Sequence, residues 1–297
     1  MKQTQHYVPQ FMLRRFALKR RKRHRSVHQV WVKDLTAQRA YIAAVPHVAA
    51  ETGFYRPRAG GPDADWLEAQ LGKIEDLAAP AIARLADSSN WQAHTDEDRV
   101  TLAIFLIRLY TRGPRVRRNL AEMARQVLEH FKAIGETTAP ELQRELEAVQ
   151  ASDPVPDHAG VIMETAKNYP ALVERSWWLL VPPIGSRFIS SDCPVLMENP
   201  ILAGLKSNMG LLVTGVIVYL PLSPYLMLMV ADSIHGLPDR RVHHIGAQEF
   251  RNLRWLTGFC TERFIYGRSP DDLFVPEGSW VGGRRPQIVS PVLKSKG

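Results

Sequence analysis

The chain has 297 residues, 45% of them hydrophobic, a size that one core or two closely packed lobes can serve and a composition that excludes a disordered or fibrous protein. Its formal net charge of +8 is confined to one end. Residues 1–33 hold ten Lys or Arg and no acid, leaving 28 basic against 30 acidic residues elsewhere, so a uniformly basic surface is excluded.

In chain order, Pro9 opens a short helix over 9–18 whose apolar face is Phe11, Met12, Leu13 and Phe16. The following run, Lys19-Arg20-Arg21-Lys22-Arg23-His24-Arg25, is too basic to pack and reads as a solvated loop. If it has a partner, that partner is a phosphate backbone, with Lys19, Arg20, Arg21, Lys22, Arg23 and Arg25 as the nucleic-acid contacts. Two strands, Val30–Val32 and Tyr41–Val45, are joined by a polar turn.

Apolar residues from Leu67 to Leu85 keep helical spacing, with Pro80 as a kink, and predict a helix over 65–87. Thr95 and Asp98 form a capping box for a second helix that stops at Gly113-Pro114, and a third spans 114–134. Short helices are predicted at 141–149 and 161–174, with a loop at Asp153-Pro154-Val155-Pro156 between them.

Beyond residue 175 the pattern shifts to short apolar segments bounded by Pro, Gly, Ser and Asp: 177–181, 187–189, 195–197, 215–220, 225–230 and 264–266, interrupted by a helix over 245–257. Residues 211–231 carry no charge and are long enough to span a bilayer, but Pro221, Ser223 and Pro224 break them into a buried hairpin, so no membrane partner is expected. The tail from 282 is ragged.

This order predicts an α+β fold: a small N-terminal hairpin and helix, a central helical bundle and a C-terminal, mainly antiparallel sheet. All 297 residues form one domain, with a helical part at about 64–175 and a β-rich part at about 176–281 packing with 1–63. Two cysteines without CxxC spacing, and no apolar N-terminal stretch, point to a cytoplasmic protein.

No GxxxxGK[ST], GxGxxG, HExxH, GxSxG or paired Cys/His spacing occurs, so the well-marked nucleotide-binding, hydrolase and zinc classes lose their support. Three polar clusters remain. In the first, Gln10 and Arg14 lie one helical turn apart with His6 just ahead, a set suited to holding phosphate or carboxylate, or else to bonding nearby backbone. The second joins Glu68 and Glu75, two turns apart on one helix, to Arg108, Arg112 and Arg115 on one stripe of the next; a Glu75–Arg112 pair fits an active site and a structural tie equally.

The third is Ser190-Ser191-Asp192-Cys193-Pro194, a tight loop between buried strands whose Asp192 either caps a turn or presents a carboxylate as metal ligand or base. His243-His244 matches no metal spacing and reads as a solvated loop.

Taken together, His6-Tyr7-Val8-Pro9-Gln10-Phe11-Met12-Leu13-Arg14-Arg15-Phe16, Glu51-Thr52-Gly53-Phe54-Tyr55, Glu75, Arg112-Gly113-Pro114, Ser191-Asp192-Cys193-Pro194 and Pro221-Leu222-Ser223-Pro224 resemble the bacterial domain-of-unknown-function family 4238. The match runs through nearly the whole chain, with Cys193 where the family usually has Asn. The resemblance provides no reaction; it implies that His6, Gln10, Glu75, Arg112 and Asp192 belong to one shared architecture, best explained by a common pocket.

The leading expectation is a phosphodiester-cleaving, nuclease-like enzyme with His6, Gln10, Glu75 and Asp192 as catalytic residues. Arg14, Arg112 and Ser191 would bind substrate, and Glu75 with Asp192 would hold a divalent metal. The alternatives are a non-catalytic nucleic-acid or partner-binding module and an enzyme acting on a small anionic substrate. Oligomeric state is left open.

Overall fold

The computed structural model describes residues 4–22, 25–55, 65–119, 140, 144, 154–201 and 210–280, and the fold is α+β. The N-terminal region comprises β1 (Thr4–His6), helix α1 (Gln10–Arg15), β2 (Leu18–Lys22), β3 (Arg25–Asp34), β4 (Arg39–Ala44) and β5 (Ala50–Thr52). Strand β1 pairs antiparallel with β5, and β3 pairs through Gln29–Asp34 with β4. The helical region holds α2 (Trp66–Ser88), α3 (Asp96–Thr111), a further helical stretch at 114–119, α4 (Pro154–Thr165) and α5 (Pro170–Val173).

The C-terminal half supplies β6 (Ser176–Val181), β7 (Ser190–Ser191), β8 (Leu196–Glu198), β9 (Ile217–Ser223), β10 (Leu226–Ala231), β11 (Arg241–His244), α6 (Ala247–Cys260) and β12 (Phe264–Gly267). Five of these strands form a sheet in the order β11-β6-β10-β9-β8. Its centre is the uncharged segment that was long enough to span a bilayer: β9 and β10 are buried at every position. Alternation explains why both faces must be apolar. Val218, Leu220 and Leu222 pack with Ile82, Leu85 and Phe105 of α2 and α3, whereas Ile217 and Tyr219 pack with Leu253, Leu256 and Phe259 of α6. No helix among the described residues is long and apolar enough to cross a membrane.

The second large sheet interlocks the two ends of the chain. On one side of β3 lies β4; on the other, β2 pairs with Arg25–Gln29 and β12 pairs with Trp31–Asp34. Strand β12 in turn carries β7, so the Ser190–Ser191 segment is fixed beside Ile265 and Tyr266. A half-exposed ion pair reinforces this join: Arg263 donates to both carboxylate oxygens of the buried Asp34, 2.7 Å at the closest.

Several local expectations need correction. The basic run is not a loop: Lys19–Lys22 and Arg25 lie in paired strands, with only Arg23 and His24 outside the described residues. Charged side chains suit such an edge strand because their aliphatic stems tolerate exposure while the charge discourages further pairing. Of the expected Asp153-Pro154-Val155-Pro156 loop, Asp153 lies outside the described residues and Pro154-Val155-Pro156 instead opens α4, since prolines lack only N–H groups that a first turn leaves unpaired. Arg187–Ile189 forms no strand, and His243-His244, read as a loop, lies in β11, parallel to β6.

The capping box is present: Asp98 N–H donates to Thr95 Oγ1 at 3.1 Å and Thr95 N–H donates to Asp98 Oδ2 at 3.1 Å. Helix α3 ends at Thr111, so Arg115 belongs to the next helical stretch and does not extend a stripe from Arg108. The predicted helices at 120–134 and 141–149 lie outside the described residues, apart from Arg144, which is helical.

Candidate functional site

Four segments meet at one corner of the helical layer: the end of β1, the first half of α2, the C-terminal end of α3, and Tyr55 after β5. The corner is organised by Arg112, whose side chain is 1% exposed. Its Nε donates to the Tyr7 carbonyl at 3.0 Å and its Nη1 donates to Glu75 Oε1 at 2.7 Å, while Nη2 has no partner. The guanidinium thus ties α3 to α2 and to the chain leaving β1, and keeps one donor in reserve.

His6 is half-buried, and its Nε2 atom is buried without a partner. The ring hydrogen-bonds the Pro46 backbone. Proline offers only a carbonyl and Nε2 has no partner, so the contact falls to Nδ1, and with the proton there Nε2 would carry the lone pair. Burial holds the His6 pKa below its ordinary value, with Glu75 pulling upward and Arg112 and Arg14 pulling downward. Near neutral pH the imidazole is therefore an uncharged base.

Glu68, two turns before Glu75, has the complementary character. Burial pushes its pKa up to about 6, a rise opposed by Arg112 and assisted by Glu75, and its Oε2 has no partner. A neutral-pH base and a carboxylic acid with a near-neutral pKa, each within the field of Glu75 and Arg112, are the kinds of group that acid–base chemistry uses. Tyr55 packs beneath them, its N–H donating to Gln5 Oε1 at 2.7 Å and its hydroxyl to the His6 carbonyl at 3.4 Å. At the rim, Arg14 Nη2 donates to Gln10 Oε1 at 3.1 Å, so those two side chains share a face but satisfy each other.

Asp192 and Ser191 do not join this corner as reacting groups. The Asp192 carboxylate, 2% exposed, accepts backbone N–H groups from Glu262, Arg263 and Phe264 at 2.9, 2.7 and 2.8 Å. Those bonds fasten the loop to the start of β12, and they occupy the oxygens that a metal or a proton transfer would need. Ser191 is fully buried, and its Oγ accepts the Cys193 N–H at 3.1 Å. Of the expected Glu75 and Asp192 metal pair, one carboxylate accepts from Arg112 and the other from three backbone N–H groups. No group of three His, Cys, Asp or Glu placed to hold a metal ion occurs among the described residues.

Tyr7 connects the two places. Its carbonyl holds Arg112, while its hydroxyl, whose pKa is raised by burial and then by the Asp192 charge, lies beside Tyr266. Of the nucleic-acid candidates, Lys19, Arg20 and Arg21 are exposed on β2, Lys22 and Arg25 lie in the same hairpin, and Arg23 is outside the described residues. Sequence reasoning noted Glu68 without choosing it. The signal was its seven-residue spacing from Glu75, which puts both carboxylates on one helix face.

One protein-family model, described as "Protein of unknown function (DUF4238)", matches residues 4–271. No curated protein and no solved structure matches the chain.

Proposed function

We propose that this chain, which belongs to the DUF4238 family of proteins of unknown function, cleaves phosphodiester bonds in nucleic acid by acid–base chemistry. The observation that supports this reading is the set of buried, unpartnered atoms His6 Nε2, Glu68 Oε2 and Arg112 Nη2 in one charged corner. Each such atom left unsatisfied costs about 1–3 kcal/mol; other buried atoms, the His94 ring nitrogens and Ser190 Oγ among them, are also unpartnered, and this set is distinguished by uniting a base, an acid and a cation.

In this mechanism His6 Nε2 takes a proton from the attacking hydroxyl or water, and Glu68 donates one to the departing oxygen. Arg112 Nη2 neutralises charge on the phosphoryl oxygens, and Glu75 holds the guanidinium in place. The exposed Lys19, Arg20 and Arg21 supply sequence-independent attraction for the backbone.

A second reading, a non-catalytic nucleic-acid-binding module, draws on the contact between Arg112 and the Tyr7 carbonyl, which is a structural tie in its own right. Incubation with single- and double-stranded RNA and DNA separates the two. Cleavage should fall about 100-fold or more in both His6→Asn and Glu68→Gln, with nucleic-acid affinity preserved and melting temperature not lowered. Tight binding without turnover by the wild type would leave the binding reading. Cleavage that survives both substitutions would overturn the assignment of the site.

A further inference from the structure

A cleft of about 630 Å³, its open mouth included, lies between the end of α3, the 114–119 helical stretch, the Cys193-Pro194 loop and the end of α6. Its walls are mostly apolar, including Leu109, Val116, Val195, Met197 and Phe259. Among the described residues that line it, Arg115 is the one charged side chain. An apolar pocket with a single convergent charge is how small-molecule sites fix a ligand's orientation.

The charge balance at Arg115 names the ligand. The side chain is 21% exposed; its Nη1 donates to the Cys260 carbonyl at 3.2 Å, and its Nε lies 3.5 Å from Glu262 Oε1. Glu262 is also gripped by Arg118 through both terminal nitrogens, the longer bond being 2.9 Å. One carboxylate thus serves two guanidinium groups, and Arg115, held by it only at 3.5 Å, is the less completely matched of the two. The other ionisable wall groups do not cancel its charge: burial pushes the pKa of both the Cys193 and the Cys260 thiol up, so they stay uncharged. The Asp192 carboxylate, behind the Cys193 wall, adds a negative charge, but it is 2% exposed and turned to the backbone N–H groups of Glu262, Arg263 and Phe264, so the charged group that a ligand in the cleft meets is Arg115.

We propose that this cleft binds a small monoanion with an apolar body, of the aliphatic or aromatic carboxylate class. Its carboxylate sits on Arg115 and its body lies against Val116, Val195 and Phe259. A carboxylate matches one incompletely matched guanidinium, and the apolar walls reject a bare inorganic anion, which would have to shed its water there.

Hexanoate, hexanamide and hexylamine, measured by saturation-transfer NMR and calorimetry on the full chain, test the proposal. Hexanoate should bind with a dissociation constant of about 1 mM, and the amide and amine at least about tenfold more weakly. Arg115→Gln should remove that preference. Because Arg115 also holds the Cys260 carbonyl, Val116→Trp provides a second test: it fills the cleft, leaves the cation, and should abolish hexanoate binding while circular dichroism shows a native fold. Equal binding of amide and carboxylate, unaltered binding to folded Val116→Trp, or no hexanoate binding at millimolar concentration would each overturn the proposal.

Discussion

The Asp192 loop and the His6 corner draw on similar polar residues, and Tyr7 touches both, yet the two are finished differently. At Asp192 a buried carboxylate meets three N–H donors, and the loop, β7 and β12 close around it. At His6 a buried imidazole nitrogen, a carboxylate oxygen and a guanidinium nitrogen remain unmatched. A buried polar group with a full set of partners holds a fold together; one kept short of partners is free to meet something else. Substitutions in the two places should therefore separate stability from function.

The largest effect is expected at Asp192. Asp192→Ala strands three buried N–H groups and should lower unfolding free energy by at least about 3 kcal/mol. A denaturant melt showing a loss below about 1 kcal/mol would remove the loop's structural role. At the corner, Glu75→Ala leaves the Arg112 charge buried and should cost about 2–3 kcal/mol, less than for a fully enclosed pair because the Glu75 side chain is 26% exposed. Equal stability of Glu75→Ala and wild type would mean that the pair contributes nothing net.

Two further buried histidines, His94 away from both places and His158 against Tyr55, set the acid limit. Burial pushes His94 and His158 down to about 4. Between that value and about 6.5 the unfolded chain takes up protons that the folded chain refuses, so each histidine's contribution declines as pH falls, by about 1.4 kcal/mol per pH unit. His158→Gln should flatten the fall in melting temperature from neutral pH to about pH 4.5; an unchanged profile would count against the assignment.

Glu68 works in the opposite sense. Its folded pKa of about 6 lies above the ordinary carboxylate value, so it weakens the fold as pH rises through that window, and Glu68→Gln should gain roughly 1 kcal/mol at neutral pH once partial exposure is allowed for. A stabilised but inactive Glu68→Gln is the pattern that sets a functional carboxylate apart from a structural one. Smallest of all, replacing Lys19, Arg20 and Arg21 by Gln should change stability by no more than about 0.5 kcal/mol while flattening the salt dependence of nucleic-acid binding by about 0.9 log units per lost contact.

Legibility in the sequence followed the range of the forces involved. Helix α2, the α3 capping box and the β9–β10 hairpin were readable because their signals are local: heptad-like apolar spacing, Thr95 with Asp98, and two aliphatic runs split by prolines. The basic hairpin was misread because its pairing depends on the partner strand rather than on composition, and β11 was missed because its strand state comes from docking on β6. The pairing of Glu75 with Arg112 was foreseeable from residue type, and so was the nearness of His6. What Asp192 does was not, since the three N–H groups that claim it lie about 70 residues further along the chain.

The pairing of β3 with β12 sets a schedule for synthesis. Arg263 and Asp34 are 229 residues apart, so during translation the Trp31–Asp34 edge stays uncovered until almost the whole described chain has emerged. At about 5–20 residues per second, that interval is roughly ten to fifty seconds. Throughout it, the nascent chain presents an open strand edge next to a run of positive charge while the helical layer can already collapse. Like-charge repulsion between neighbouring nascent chains would then keep that edge from pairing with another ribosome's product. The basic hairpin would thus protect the protein before it is folded as well as serve it afterwards.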